Sequence, residues 1–305
     1  MLPELIIDTD AGHDDILAII LLVKSKLFSI KAITTVAGNS SIRNVTRNVF
    51  YVLNLLHESN IPIYSGFPSP LKRRLIKAVI HGKNGLSGAD TSKTKYHLTK
   101  DAPEQLIKIV KNSPRKVTIL TLGPLSNIAR VLQKDHSIAT SIDKIVMMGG
   151  SLNGYGNKSR VAEFNMFVDP EAADIVFKSP IQKILLPLDA CNECAFSLKS
   201  FTQLPTSVLN TAITQMMREY ISKIKIRTGI EGTLVYDALA AYYLISPTVF
   251  TTRLMDIVIE KRGKYTSGMT VAERRFSVVK KNNVSVIEKV EYEKFKSYFF
   301  ALLKS

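Results

Sequence analysis

The sequence lacks any run of apolar residues long enough to cross a membrane, and no cleavable signal precedes its first apolar segment. We therefore expect no membrane partner and a cytoplasmic location. Internal repeats, low-complexity tracts and linkers that would divide the 305 residues are also missing. These absences favour a single domain over residues 1–305, and a hydrophobic content of 46% suffices for a sizeable core.

Cysteine is scarce, because the chain contains only Cys191 and Cys194, in a Cys-x-x-Cys arrangement. No further ligands for a zinc site are evident nearby, and the position fits a thioredoxin-like motif poorly. Two unpaired core cysteines are the leading interpretation, and a local disulfide is the alternative. Counting free thiols with and without reductant distinguishes the two.

Acidic residues are outnumbered by basic ones, which gives a formal net charge of +15. The basic residues are spread along the chain, and the small clusters at 72–74, 274–275 and 280–281 are not interleaved with aromatic residues. A solvated basic surface explains this charge better than a nucleic-acid site does. We therefore expect no nucleic-acid partner.

The few acids are concentrated near the start of the chain. Four carboxylates fall within eight residues, at Asp8, Asp10, Asp14 and Asp15. The apolar run at 5–7 predicts a buried strand, Gly12 allows a tight turn, and the spacing after Asp14 predicts a helix. Ligands of parallel α/β sheets bind at such junctions. Because crowded carboxylates repel, the pattern predicts bound Ca²⁺ or Mg²⁺, with helix capping as the alternative for one or two acids.

The remaining periodicity predicts a mostly parallel sheet flanked by helices through residue 190. The strands are predicted at 29–36, 61–66, 116–122, 143–148 and 184–188. The helices are predicted at 41–57 and 102–111, with a third that ends at 133 and a fourth that begins at 170. Later helices are predicted at 207–228, 235–245 and 291–303, with short antiparallel strands at 255–260, 269–273 and 284–288. Residues 67–100 are predicted to form a long loop. It contains His81, which is either a surface residue or a catalytic one.

Several motifs together resemble one family. The segment 8–15 resembles the Asp-Thr-Asp-Pro-Gly-x-Asp-Asp signature of the inosine–uridine-type nucleoside hydrolases, with Ala11 in place of the proline. Matching segments follow in order along nearly the whole chain: Ala37-Gly38-Asn39, His81-Gly82, 122–127, Met148-Gly149-Gly150, Glu163-Phe164-Asn165 and 236–240. The resemblance implies an α/β fold with a Rossmann-like core, a mostly parallel central sheet and a C-terminal helical and antiparallel elaboration.

The resemblance implies Ca²⁺-dependent hydrolysis of the N-glycosidic bond of ribonucleosides, giving ribose and free base. The metal ligands would be Asp10, Asp15, Asp237 and the carbonyl oxygen of Leu122. Asp10 would act as general base, and Asn39 would orient the water or the sugar. The residues expected to contact ribose are Asp14, Asn39, Met148, Asn157, Glu163, Asn165 and Asp237. Without the resemblance, Asp237 is explained as an ordinary acid at a helix N-terminus.

The sequence departs from the family at the expected leaving-group acid, because Tyr236 stands where many family members have histidine. His81, Tyr236, Arg227 and Tyr220 are the candidates for contact with the base. An aromatic pocket and protonation at N7 favour purine nucleosides, with pyrimidine or broad specificity as the alternative. A Mg²⁺-dependent phosphatase and a non-enzymatic nucleoside-binding module are less favoured functions. The resemblance also implies a homo-oligomer, a dimer or a tetramer.

Overall fold

The computed structural model describes residues 1–99, 101–191, 195–275, 278 and 282–305. Cys194, and with it the question of a disulfide to Cys191, lies outside these residues. None of the helices in this described part has both the length and the apolar composition needed to span a bilayer.

Strands and helices alternate from the first residues onward. The strands, in chain order, are β1 Glu4–Thr9, β2 Ser29–Thr35, β3 Ile63–Ser65, β4 Val117–Thr121, β5 Ile142–Met148, β6 Gln182–Leu186, β7 Ala195–Phe196, β8 Thr233–Leu234, β9 Phe250–Met255, β10 Ile257–Ile259, β11 Thr270–Ala272 and β12 Val284–Val290. The helices are α1 His13–Ser25, α2 Ile42–Leu55, α3 Ala102–Asn112, α4 Ser126–Lys134, α5 Phe164–Val168, α6 Pro170–Lys178, α7 Leu198–Thr202, α8 Val208–Thr228, α9 Tyr236–Ile245 and α10 Tyr292–Lys304.

One central sheet organises the molecule, with the strand order β3-β2-β1-β4-β5-β6-β12-β9. Every neighbouring pair in it is parallel except β12 and β9. The predicted α/β fold with a mostly parallel sheet is confirmed. Because β1 lies between β2 and β4, the chain order reverses at β1. Crevices at such a switch point are where ligands bind in open α/β sheets.

The predictions for the C-terminal strands need one correction. The strands predicted at 255–260 and 269–273 pair antiparallel as β10 and β11. The strand predicted at 284–288 does not join them: β12 lies in the central sheet, antiparallel to β9 as predicted but parallel to β6. The sequence pattern missed β9, whose exposed residues include Thr251, Thr252 and Arg253. An edge strand is covered on one side only, so its sequence does not show the apolar run of a central strand.

Helix α1 lies in the middle of the larger of two hydrophobic cores. All its residues from Asp15 to Leu22 are buried, so it is a helix covered on every side rather than a surface helix. It packs along α9, which is apolar over most of its length as well. Since both helices begin at the carboxyl edge of the sheet, the acids in their first turns face a common space.

Candidate active site

The carboxyl ends of β1, β2, β4 and β5 surround a cavity of about 240 Å³. Eleven of the twelve predicted site residues line it: Asp10, Asp14, Asn39, His81, Leu122, Met148, Asn157, Glu163, Asn165, Tyr236 and Asp237. The twelfth, Asp15, is fully buried beside them. The geometry therefore brings the predicted set together, although Asn157 is exposed and lies at the rim.

Three carboxylates form a close group at the floor of this cavity. Asp14 and Asp15 belong to the first turn of α1 and Asp237 to the first turn of α9, and one oxygen from each lies within 4.8 Å of the others. The positive ends of two helix dipoles favour negative charge there. Because the residues come from opposite ends of the chain, helix capping alone does not explain the grouping.

Asp10 adjoins this group after the last residue of β1. Its Oδ2 accepts a hydrogen bond of 2.7 Å from the backbone N–H of Asn39, and its Oδ1 is buried without a hydrogen-bond partner in the described structure. Gly38 makes this approach possible, because a Cβ there would collide with the Asp10 carboxylate and with Pro124. The loop after β2 is thus shaped around this acid.

Asp15 is held by three donors. Thr9 Oγ1 donates to its Oδ1 at 2.5 Å, and the Gly12 N–H and Asn39 Nδ2 donate to its Oδ2 at 2.9 and 3.2 Å. The bond from Gly12 caps α1, so the capping interpretation holds for this single oxygen. The preceding Ala11 has a φ of 43°, which the ring of a proline cannot adopt.

In the described structure, the four acids Asp10, Asp14, Asp15 and Asp237 have no positively charged side chain to balance them. Among the residues the structure describes, no lysine or arginine forms an ion pair with any of the four. Burial, and next the charge of Asp15, raise the pKa of Asp14 to about 7. Burial and neighbouring carboxylates also raise the pKa values of Asp10 and Asp237 well above the ordinary range.

A hard cation fits this set. Asp10 Oδ1 and Asp237 Oδ1 are both buried without hydrogen-bond partners in the described structure, although a buried carboxylate oxygen ordinarily has one. The donors are all oxygen atoms, which Ca²⁺ and Mg²⁺ prefer over the nitrogen and sulfur ligands typical of zinc. The cluster could therefore bind a metal ion.

Asp8 does not share this role, although the sequence groups it with the other acids. Thr34 Oγ1 and Asn127 Nδ2 donate to its Oδ1 at 2.5 and 2.7 Å, which ties β1 to β2 and to the start of α4. Burial raises the pKa of Asp8 to about 7, although both bonds lower it. Its surroundings identify Asp8 as a buried support of the strand end.

A second group of residues forms the wall after β4 and β5. Asn165 Nδ2 donates to the carbonyl oxygens of Leu122 at 2.7 Å and Met148 at 3.3 Å. Glu163 caps α5 by accepting hydrogen bonds from the backbone amides of residues 150, 165 and 166. Asn157 Oδ1 accepts from the Phe164 N–H at 2.8 Å. These bonds hold the side chains at the cavity, and α5 itself was not predicted from the sequence.

The opposite wall is aromatic. His81 is buried, and its ring lies 5.1 Å from that of Tyr220, so the surface alternative for His81 is wrong. Sequence reasoning missed His13, which is fully buried and stacks on Tyr220 at 4.2 Å. Its place between Gly12 and Asp14 in the first motif was the available signal. Burial lowers the pKa of His13 to about 4 and holds that of His81 well below its usual range.

The fold and the site together define an α/β protein with a carboxylate cluster for a hard cation beneath a cavity for a polar small molecule. Residues 5–297 match the family described as inosine-uridine preferring nucleoside hydrolase. The chain belongs to this family. It is an enzyme, a ribonucleoside hydrolase acting on N-glycosyl compounds, and the resemblance seen in its motifs is confirmed.

Individual relatives cover almost the whole chain. The chain is 36% identical over 298 residues to the pyrimidine-specific ribonucleoside hydrolase RihA of Salmonella paratyphi C (strain RKS4594), with 95% of each chain covered. Among solved structures it is similar to the plant nucleoside hydrolase PpNRh1, with a TM-score of 0.92, 26% identity and 100% of each chain covered. It is also similar to the purine-preferring ribonucleoside hydrolase from Gardnerella vaginalis, with a TM-score of 0.88, 27% identity and 99% and 98% covered.

Proposed function

We propose that this enzyme hydrolyses the N-glycosidic bond of pyrimidine ribonucleosides with Ca²⁺ bound at the acidic cluster. The observation that carries the proposal is the grouping of Asp14, Asp15 and Asp237 within 4.8 Å, without a cation of the described chain. The family assignment argues against the two less favoured functions, a phosphatase and a non-enzymatic binding module. When bound, the ion would lower the pKa of a water molecule and hold it near the sugar.

The proposed ligands are Asp10, Asp15, Asp237 and the Leu122 carbonyl. The free Oδ1 atoms of Asp10 and Asp237 support this choice, as does the second lone pair of the Leu122 oxygen, whose first accepts from Asn165. Asp14 belongs to the same close group, so it is placed either to bind a ribose hydroxyl or to join the ligands.

Asp10 is the proposed general base. Its Oδ2 accepts one hydrogen bond from the Asn39 N–H and its Oδ1 accepts none, so the carboxylate keeps a lone pair for a proton from water besides the one offered to the ion. Asn39 itself donates from Nδ2 to Asp15, which holds its amide at the floor of the cavity. Water loses this proton as it attacks the sugar carbon, and the bond from that carbon to the base breaks through an oxocarbenium-like transition state.

The ribose contacts follow from the hydrogen bonds already made. Both N–H groups of Asn165 are used on Leu122 and Met148, so its amide oxygen is the atom left to accept from a sugar hydroxyl. Glu163 and Asn157 stand farther along the same wall, where we place the 5′ hydroxyl. Met148 also lines the cavity, and we place it against the ribose ring. The set discriminates against sugars that lack these hydroxyls.

The base is proposed to leave along the aromatic wall formed by His81, Tyr220 and Tyr236. Arg227 lies at the exposed rim of the same cavity. Burial lowers the pKa of His81, which disfavours the imidazolium form that would donate a proton to the base. We place His81 and Tyr236 against the base, with the proton donor to be identified by variants.

The base preference is drawn from the relatives. The pyrimidine-specific RihA shares 36% identity with the chain, against 27% for the purine-preferring enzyme from Gardnerella vaginalis. We therefore propose pyrimidine substrates before purines, in contrast to the expectation drawn from the sequence. Purine turnover is the second candidate, because the stacked rings of the wall offer a broad surface to a larger base.

The test is release of reducing sugar from uridine, cytidine, inosine, adenosine and guanosine, with added calcium and with a chelator. We expect ribose from uridine and cytidine in calcium, little from the purines, and none after chelation. A phosphomonoester serves as the negative control. Equal turnover with chelator would contradict the metal, and faster turnover of inosine would reverse the base preference.

Assembly and location stay predictions. We propose a homo-oligomer, a dimer or a tetramer, as the family resemblance implies, and a cytoplasmic location, as expected from the sequence. Light scattering after size-exclusion chromatography measures the first, and fractionation of the source cells measures the second.

A further inference from the structure

His13 makes three contacts around one buried ring. Its Nδ1 lies 3.0 Å from Nδ1 of His81, its Nε2 lies 2.9 Å from the carbonyl oxygen of Ser87, and its ring stacks on Tyr220 with an interplanar angle of 3°. The ring bridges the acidic motif and the loop that carries His81. The His13 side chain is fully buried, so these contacts take the place of contacts with solvent.

His81 depends on His13 for its orientation. Among the described residues, the His81 side chain has hydrogen-bond partners only in His13. Because Nε2–H of His13 donates to the Ser87 carbonyl, Nδ1 of His13 accepts the 3.0 Å bond from Nδ1–H of His81, and the His13 backbone N–H lies 3.4 Å from the same nitrogen. The remaining close ring contacts are His13 at 5.3 Å and Tyr220 at 5.1 Å. Because Nδ1 of His81 is engaged, Nε2 is the ring nitrogen left for a ligand in the cavity.

We propose that His13 is the positioning residue for His81, so that the two imidazoles and Tyr220 act as one unit against the nucleobase. The inference rests on the proposed function, because it assigns the unit to the base-contacting wall of the same cavity. Among its ring nitrogens, His13 does this through Nδ1, which accepts the hydrogen bond from Nδ1–H of His81. Its Nε2 bond to Ser87 supports the loop and is a separate task.

Three substitutions separate these tasks. His13→Asn keeps a hydrogen-bonding atom at the place of Nδ1, His13→Gln keeps one near Nε2, and His13→Phe keeps only the stacked ring. We expect His13→Asn to retain kcat/KM for uridine within about threefold, whereas His13→Gln and His13→Phe lose about 10- to 100-fold, as for other orienting partners of functional side chains. The exposed His136→Phe is the matched control and leaves kcat/KM unchanged. Equal losses for the Asn and Gln variants overturn the proposal.

A double-mutant cycle tests the coupling. If His13 acts through His81, His13→Phe lowers kcat/KM in the wild-type background and adds little to the loss already caused by His81→Phe. A residue that only supports the fold causes the same factor in both backgrounds, and that result overturns the proposal.

A spectroscopic measurement keeps the inference independent of activity. In the full-length protein with ¹⁵N-labelled histidine, we expect a scalar coupling between the two Nδ1 nuclei across their hydrogen bond, lost in His13→Phe and kept in His136→Phe. Absence of the coupling in the wild type overturns the proposal. If the wild type hydrolyses no nucleoside, the proposed function fails, while the coupling still decides whether His13 holds His81.

Discussion

Replacing Asp237 by asparagine is expected to stabilise the enzyme without calcium and to leave it about as stable as the wild type with calcium. In the metal-free protein, Asp237 faces Asp14 and Asp15 at no more than 4.8 Å, and Oδ1 has no hydrogen-bond partner in the described structure. Two like charges at that distance cost about 3–4 kcal/mol at an effective dielectric constant of about 20. Asparagine removes both repulsions and keeps the shape of the side chain.

The expected gain is smaller than the two pair energies added together, because protonation already relieves part of the repulsion. The raised pKa of Asp237, caused by burial and then by Asp14 and Asp15, reports this relief. We expect the chelated Asp237→Asn protein to gain about 2–4 kcal/mol, which raises Tm by about 4–8 °C for a chain of this size.

With calcium most of this gain is cancelled, because the variant has lost a proposed ligand. If calcium at 1,000 times its Kd stabilises the wild type by about 4 kcal/mol, a hundredfold loss of affinity removes about 2.7 kcal/mol of that. The measurement is Tm by differential scanning fluorimetry, in chelator and across a calcium titration.

Asp169→Asn is the matched control. Asp169 is a buried acid outside the cluster, and its carboxylate accepts hydrogen bonds from Ser126, Leu71 and Ala172. Its substitution should lower Tm equally in chelator and in calcium. The electrostatic reasoning is refuted if Asp237→Asn lowers Tm in chelator as Asp169→Asn does, or if calcium raises Tm equally in Asp237→Asn and the wild type.

Three further outcomes follow from the same geometry. The Tm of the chelated protein should fall between about pH 6.5 and pH 8. In this range the folded chain releases protons from Asp8 and Asp14, of pKa about 7, that the unfolded chain has already lost. The two groups lower the free energy of unfolding by about 1–2 kcal/mol, and a flat profile of Tm against pH would contradict this expectation. The lowered pKa values of His13 and His81 act in the opposite direction, mainly below about pH 7, where the unfolded imidazoles take up protons. Asn165→Ala should weaken calcium binding about 10- to 100-fold by calorimetry, since the Leu122 carbonyl loses its 2.7 Å partner; unchanged affinity argues against that carbonyl as a ligand. With 2′-deoxyuridine, kcat/KM should fall by about 10⁴-fold relative to uridine, and comparable turnover would show that the floor of the cavity does not bind the 2′ hydroxyl.

The sequence predicted the central sheet well, for a physical reason. Strands covered on both faces must be apolar, so β1, β4 and β5 are visible as short apolar runs. The edge strand β9 and the short helix α5 carry no such pattern, because most of β9 is exposed and α5 has only five residues. Their formation depends on neighbours that are distant in sequence.

The site was predicted as a set of residues but not as a set of contacts. Motif spacing placed Asp10, Asp15 and Asp237 at strand and helix ends, and the cavity contains or adjoins them. Spacing does not give side-chain direction, so the acidic pattern grouped Asp8 with the other acids, and only the family resemblance left it out of the ligand set. It also gave no sign that His13 meets His81, because that contact joins residues 68 positions apart through a loop without regular structure.

The pairing of α1 with α9 has a consequence for how the enzyme is made. Asp14 and Asp15 leave the ribosome more than two hundred residues before Asp237, yet the three share one small space in the finished protein. A nascent or truncated chain that ends before α9 holds only part of the binding group. Tight capture of the proposed ion would therefore require synthesis and folding to have passed α9.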